Sequence, residues 1–200
     1  MGEKMTENQI ILKPGIDQEF INIMSIIYKP FINNAPPPEI AYTIYLENDT
    51  IPKGYIKMFQ HDDESDILYI HLALIPDAKG KNIGYQAIRQ IINITNREKY
   101  GYMVMNNNLP SLKLLYKLNG IIINNRSWFS KILIKYHLYE GFILTENLDK
   151  PNNSNLLPYI KKAEKLYNIW KENTGNVLIY NYLDKLNNYL RKFSNQEKEI

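Results

Sequence analysis

The chain has 200 residues, of which 44% are hydrophobic and 22% charged, with a net charge of +3 and no cysteine. That length suits one domain with an appendage and a core that needs no metal or disulfide staple. The mild charge suits an anionic ligand but is too weak to argue for nucleic acid, and the lack of cysteine excludes disulfides, thiolate metal sites and a cysteine nucleophile.

Met1 to Gln9 is polar and lacks an apolar signal core, and no stretch approaches the length of a membrane span, so a cytoplasmic protein without membrane contact is expected. Ile10 to Lys13 reads as a first strand closed by Pro14-Gly15. Asp17 is placed to cap a helix whose apolar positions are Phe20, Ile23, Met24 and Ile27. Asn33 to Pro38, with three consecutive prolines, reads as an extended loop, a connector or one wall of a substrate groove. Strands follow at Ala41 to Leu46 and Gly54 to Phe59, joined through the turn-rich Glu47 to Pro52, and the acidic His61 to Asp66 is the next turn. Ile67 to Ile75 is almost continuously apolar and predicts a central strand buried on both faces.

Pro76 ends that strand, and Ile83, Ala87, Ile88, Ile91, Ile92 and Thr95 keep a helical stripe to about Glu98. Tyr102 to Met105 reads as a strand, and Ser111 to Leu118 as a short helix with Leu112, Leu115 and Leu118 inward. Phe129 to Tyr139 reads as a long strand alternating Ile132, Ile134, Tyr136 and Leu138 against Lys131, Lys135 and His137. Composition changes after Gly141, which divides a domain 1–141 from an extension 142–200. In that extension Lys150 to Asn155 is a connector. Leu156, Ile160, Ala163, Tyr167 and Trp170 mark a helix closed by Gly175, and Val177, Tyr180, Leu183, Leu186, Leu190 and Phe193 mark a second. This hairpin is expected to pack on the domain or at an interface, a homodimer included; its aromatics follow helical spacing and read as core packing, not as a nucleic-acid surface.

The segment after the buried strand carries the chemistry. Lys79-Gly80-Lys81-Asn82-Ile83-Gly84 leads straight into an amphipathic helix. Such a loop turns backbone N–H groups toward one point, and the helix adds unsatisfied donors and the positive end of its dipole. A diphosphate is the natural ligand, with Lys79 and Lys81 at the rim. Gly84-Tyr85-Gln86 does not supply the Gly-Lys-Ser/Thr of a Walker loop, and the three spaced glycines of a dinucleotide fingerprint are missing.

The loop resembles that of the GNAT superfamily of acyl-CoA N-acyltransferases, which reads Arg/Gln-x-x-Gly-x-Gly/Ala after the fourth strand. Gly84 matches, Lys79 replaces the first position conservatively, and Asn82 stands where the family has the first glycine. Asn tolerates left-handed backbone better than other side chains, so the loop can keep its shape. A second resemblance lies about 25 residues on. Asn108-Leu109-Pro110-Ser111 opens a helix ending Leu115-Tyr116-Lys117-Leu118-Asn119-Gly120-Ile121. It is similar to the family's Asn-x-x-Ala/Ser followed by Leu-Tyr-x-Lys-x-Gly-Phe. Counted from Gly120, Tyr116 falls at the family's tyrosine; counted from Asn108, it falls one residue late.

The resemblance covers about Ile10 to Tyr139. It implies an α/β (α+β) fold with a central mixed, mostly antiparallel sheet flanked by helices, to which the sequence adds the C-terminal helical hairpin. It further implies acetyl-CoA as co-substrate and transfer of acetyl to a primary amine, on a small molecule or on a protein N-terminus or lysine. Lys79, Gly80, Lys81, Asn82, Ile83 and Gly84 would then bind the diphosphate, Leu72 and Leu74 the pantetheine arm, and Asn108 and Ser111 the coenzyme. Tyr116 would be the general acid for the departing thiolate, since a phenol is protonated at neutral pH. Asn108 also reads as a helix N-cap. The base is sought on the buried strand, where His71 falls on the face opposite the family's positions, here Leu68 and Ile70. Asp66, Asp77, His137 and ordered water are the other candidates, and a core histidine is the plainer reading of His71. No His/Asp/Glu cluster has metal-ligand spacing, so no metal is expected. The second functional reading is a catalytically degenerate acyl-CoA sensor or partner-binding module on the same fold.

Overall fold

Seven strands form one mixed sheet in the order β1-β2-β3-β4-β5-β7-β6. They are β1 (Ile10–Pro14), β2 (Ile40–Leu46), β3 (Gly54–Gln60), β4 (Leu68–Leu74), β5 (Lys99–Met105), β6 (Ile121–Ile122) and β7 (Leu138–Leu144). The computed structural model describes residues 9–24, 40–60, 66–106, 108–123, 138–173 and 188–189, with backbone only over 166–173. β1, β2 and β3 pair antiparallel, β4 pairs parallel with β5, and β7 pairs antiparallel with both β5 and β6. The helices are α1 (residues 18–24), α2 (Ile83–Thr95), α3 (Leu109–Lys117) and α4 (Leu157–Asn173). The sheet is therefore mixed, mostly antiparallel and flanked by helices, as the sequence implies.

The chain divides into two compact units, Met1–Met58 with Leu72–Ile88 and Asn176–Ile200, and Phe59–His71 with Arg89–Gly175. In the first, Asp17 caps α1 by accepting from the Phe20 N–H at 2.9 Å, and Phe20, Ile23 and Met24 are buried. The Phe20 ring meets Tyr55 edge-on at 6.4 Å and stacks on Tyr189 at 5.3 Å. Gly54 lets β3 approach β4 closely, since a Cβ there would overlap the Ala73 carbonyl oxygen.

Lys57 is an anomaly of this unit. It is 6% exposed on β3, and among the described residues nothing pairs with its ammonium, whose pKa burial lowers. Because the folded-state pKa is the lower one, the charged form opposes folding at neutral pH, and the penalty fades as pH rises through that pKa. Lys57→Met is therefore expected to stabilise the protein by about 1–2 kcal/mol near pH 7. The gain should shrink as pH approaches the ordinary lysine range of about 10, read by denaturant titration at several pH values.

In the second unit, two tyrosines cross glycines. The Tyr102 ring crosses Gly141 on β7 to donate to the Ile121 carbonyl at 2.8 Å, and a Cβ at 141 would overlap both partners. The Tyr69 ring crosses Gly101 on β5, where a Cβ would come within 2.7 Å of it. Tyr100 holds the end of α2, its hydroxyl meeting Thr95 Oγ1 at 2.7 Å and the Arg97 N–H at 2.8 Å.

Several boundaries differ from expectation. α2 stops at Thr95 and not at Glu98, because Asn96 takes a left-handed φ of 47° and ends the helix. β5 starts at Lys99, three residues before the expected Tyr102, since β7 pairs along its whole length. β7 runs through Gly141 to Leu144, past the point where composition changes. β4 is less covered than its apolar run suggests: Leu68, Tyr69 and Ala73 are buried, but Ile70, His71, Leu72 and Leu74 are half-buried. An apolar run requires burial in something, and that something need not be the protein's own helices.

The Lys150 to Asn155 connector is docked. Asn119, at a left-handed φ of 56°, donates to the Asn147 and Pro151 carbonyls at 2.8 and 3.2 Å and accepts from the Asn153 N–H at 2.9 Å. Asn152 donates to the Tyr116 carbonyl at 2.6 Å, Ser154 to the Gly120 carbonyl, and Asn155 brackets Ile122 through both its N–H and its carbonyl. α4 follows with Leu156, Ile160 and Ala163 buried, and Glu164 pairs with Lys113 of α3 at 3.1 Å.

The Asn33 to Pro38 loop, Ile27, the turn over 61–65, the expected strand over 129–137, the side chains of Tyr167 and Trp170, and Gly175 lie outside the described residues. So does the second C-terminal helix except for residues 188–189. Among the described residues no helix is long and apolar enough to cross a membrane.

Candidate active site

The loop after β4 is shaped by four local requirements. Pro76 opens a 3₁₀ turn over Pro76–Ala78, in which the Ala78 and Lys79 N–H groups bond back to Ile75 and Pro76 at 3.1 Å, and buried Ala78 anchors it. Gly80 and Asn82 then take left-handed φ values of 77° and 62°. The Asn82 carbonyl accepts from the Gln86 N–H at 3.1 Å and so opens α2, and Ile83 is buried beneath the first turn. Left-handed residues at such a turn can gather backbone N–H groups into an anion-binding concavity, and this turn stands at the positive end of α2.

Asn82, the departure from the glycine pattern, thus has the backbone conformation that glycine adopts freely and asparagine tolerates. Lys79 and Lys81 are exposed at the rim, and partial desolvation lowers the Lys79 pKa. Leu72 and Leu74, two residues apart on β4, share one half-buried face ahead of the loop. These features, all in the first unit, fit a diphosphate followed by an apolar arm.

In the second unit, Asn108 caps α3, its side-chain oxygen accepting from the Ser111 N–H at 3.2 Å, with Pro110 in the first turn. Leu112, Leu115 and Leu118 are buried, which orients the helix and leaves Tyr116 half-buried. Among the described residues none hydrogen-bonds the Tyr116 hydroxyl. His71 is half-buried on β4, and strand alternation sets it with Tyr69, opposite Leu68 and Ile70. Asp66 and Asp77 are exposed, and His137 lies outside the described residues. Among the described residues no three of His, Asp or Glu lie together as metal ligands would.

One polar pair had no sequence signal. The Tyr69 hydroxyl donates to Glu140 Oε1 at 2.5 Å, joining residues 71 positions apart. Only the order of strands brings them together.

The sequence profile of the Acetyltransferase (GNAT) family matches residues 17–121, more than half of the chain. The chain belongs to the GNAT family. The loop of residues 79–84 and the Asn108–Gly120 segment both lie within the matched span. A domain from Methanocaldococcus jannaschii is similar at 17% identity and a TM-score of 0.51, over 68% of this chain and 99% of that one. A spermidine N-acetyltransferase SpeG chimera from Vibrio cholerae and hSSAT is similar at 13% identity and a TM-score of 0.50, over 70% and 98%. Identities this low show a shared fold and nothing finer. No curated protein matches the chain at a significant level.

Proposed function

We propose that this GNAT protein transfers acetyl from acetyl-CoA to a primary amine by direct attack in a ternary complex. The observation that carries the reading is the left-handed Asn82 at φ 62°, which keeps the phosphate loop open to a diphosphate despite the lost glycine. Backbone N–H groups of Gly80 to Gly84 bind the diphosphate, with Lys79 and Lys81 adding charge. Leu72 and Leu74 line the pantetheine arm. Asn108 caps α3 with its oxygen, which leaves its amide N–H groups and the Ser111 hydroxyl as donors to the coenzyme.

Most of the acceleration then comes from holding the two reactants in line, worth roughly 7–11 kcal/mol when positioning is good. The amine lone pair forms the N–C bond, the C–S bond breaks, and the electron pair leaves on sulfur. Tyr116 gives that sulfur its proton and recovers one from the new amide nitrogen through water. Tyr116→Phe is accordingly expected to lower kcat about 100-fold while acetyl-CoA affinity stays within about twofold. An unchanged rate would remove Tyr116 as the acid.

Calorimetry with acetyl-CoA, followed by thiol release against a panel of primary amines, tests the whole reading. Absence of binding defeats it. Binding without turnover on any amine favours the acyl-CoA sensor.

A further inference from the structure

Among the described strands, β6 ends the sheet, with β7 on its one paired side. The Ile123 N–H bonds to the Glu140 carbonyl at 3.1 Å. Bonded positions alternate along an antiparallel pair, so Ile122, opposite Gly141, turns its own N–H and carbonyl away from β7. An edge with such groups open is a template for another strand. The local sequence makes it a strong one. Gly120 is followed by Ile121, Ile122 and Ile123, three strand formers in a row that bring neither charge nor proline. At the sheet's other end, β1 closes on Lys13 and Pro14, a charge and a residue without an N–H, which are ordinary protections for an edge.

At β6 the protection comes from one side chain. The Ile122 N–H donates to Asn155 Oδ1 at 2.7 Å, and Asn155 Nδ2 donates to the Ile122 carbonyl at 2.8 Å. One acceptor and one donor on the same residue is what a paired strand residue would offer Ile122. The neighbours of Asn155 hold it in place. The Asn153 N–H donates to Asn119 Oδ1 at 2.9 Å, Ser154 Oγ donates to the Gly120 carbonyl, and Leu156 is fully buried. All of these residues belong to the second unit. Asn155 itself is exposed, and a carboxamide has no main chain behind it to continue a ladder, so pairing stops there.

We propose that Asn155 closes the edge of β6 in place of an eighth strand, and so keeps a second copy of this chain from adding its own β6 there. Another copy is the partner this edge fits, because two β6 strands set antiparallel about a twofold axis offer each other the same groups. Ile122 of each copy would then make with its counterpart the two bonds that Asn155 makes now. The connector thus does more than join β7 to α4: it terminates the sheet.

Asn155→Ala in the full chain removes both bonds. In sedimentation velocity it is expected to run as a larger species than wild type at the same concentration, with the excess growing as concentration rises. Its Ile122 amide is expected to exchange hydrogen about tenfold faster in dilute solution, as loss of a typical hydrogen bond implies. Asn155→Asp separates bonding from blocking: it loses the donor but sets a negative charge at the edge, which repels a second copy. It is expected to sediment as wild type does. Should Asn155→Ala fail to fold by circular dichroism, Asn155→Gln, one methylene too long to bracket Ile122, is read in its place. A sedimentation coefficient equal to that of wild type at every concentration overturns the proposal, whatever the amide shows. Association of Asn155→Asp as strong as that of Asn155→Ala places the contact elsewhere and overturns it as well.

Discussion

Gly141→Ala is expected to destabilise the protein by about 3 kcal/mol or more, lowering the melting midpoint by about 10 °C. The added methyl would overlap the Ile121 carbonyl oxygen and the Tyr102 hydroxyl. Neither neighbour can yield cheaply. The carbonyl belongs to the β6–β7 ladder, where Ile122 pairs with Gly141, and it also accepts the Tyr102 hydrogen bond at 2.8 Å. Moving it opens the ladder, while moving Tyr102, which is 3% exposed, leaves a buried phenol without its acceptor. Tyr102→Phe in the same chain should relieve only part of the loss, because the clash with backbone remains. Denaturant titration of the single and double variants reads both quantities. A midpoint near wild type for Gly141→Ala would mean that β7 does not run through position 141 as described.

The second large effect falls on the coenzyme. Asn82→Val is expected to weaken acetyl-CoA binding about 30-fold, while Asn82→Gly leaves it equal or better. A β-branched side chain at φ 62° has steric strain that asparagine largely escapes and glycine lacks entirely. Strain at such a position is worth on the order of 1–3 kcal/mol, and each 1.4 kcal/mol is about tenfold in affinity. The loop relieves it by leaving the left-handed region, which turns its N–H groups away from the diphosphate. Isothermal calorimetry reads the dissociation constants directly. If Val, Gly and Asn at position 82 bind equally, the loop is not the diphosphate site.

Local features of the chain were readable without a structure because they depend on contiguous residues. The Asp17 cap, the turn at Pro76, the α2 stripe from Ile83 to Thr95 and the inward leucines of α3 each follow from periodicity or from one residue's backbone preference. The left-handed Asn82 belongs with them, since asparagine was the one departure from the glycine pattern that conserves the conformation. Errors came where a local signal was silent. β5 was expected only from Tyr102 and β7 only as far as Tyr139, short of the glycines at 101 and 141 that each admit a tyrosine from a neighbouring strand. The 150–155 connector is a connector as expected, but its docking left no local sign, because its partners, Asn119 to Ile122, lie some 30 residues earlier; Asn155 and Ile122 are 33 apart.

By itself, then, the sequence determined the loop after β4, the helices that follow it and the family to which the chain belongs. Those rest on backbone torsions and on periods of two or 3.6 residues, which neighbouring residues specify among themselves. Only the tertiary structure decided that Tyr69 meets Glu140 across Gly101, that Tyr102 crosses Gly141, and that the connector is bonded to the end of α3. Each depends on which strands are adjacent and in what register, and register is set by burial summed over the whole sheet. No stretch of chain carries that sum, which is why the Tyr69–Glu140 pair left no motif behind.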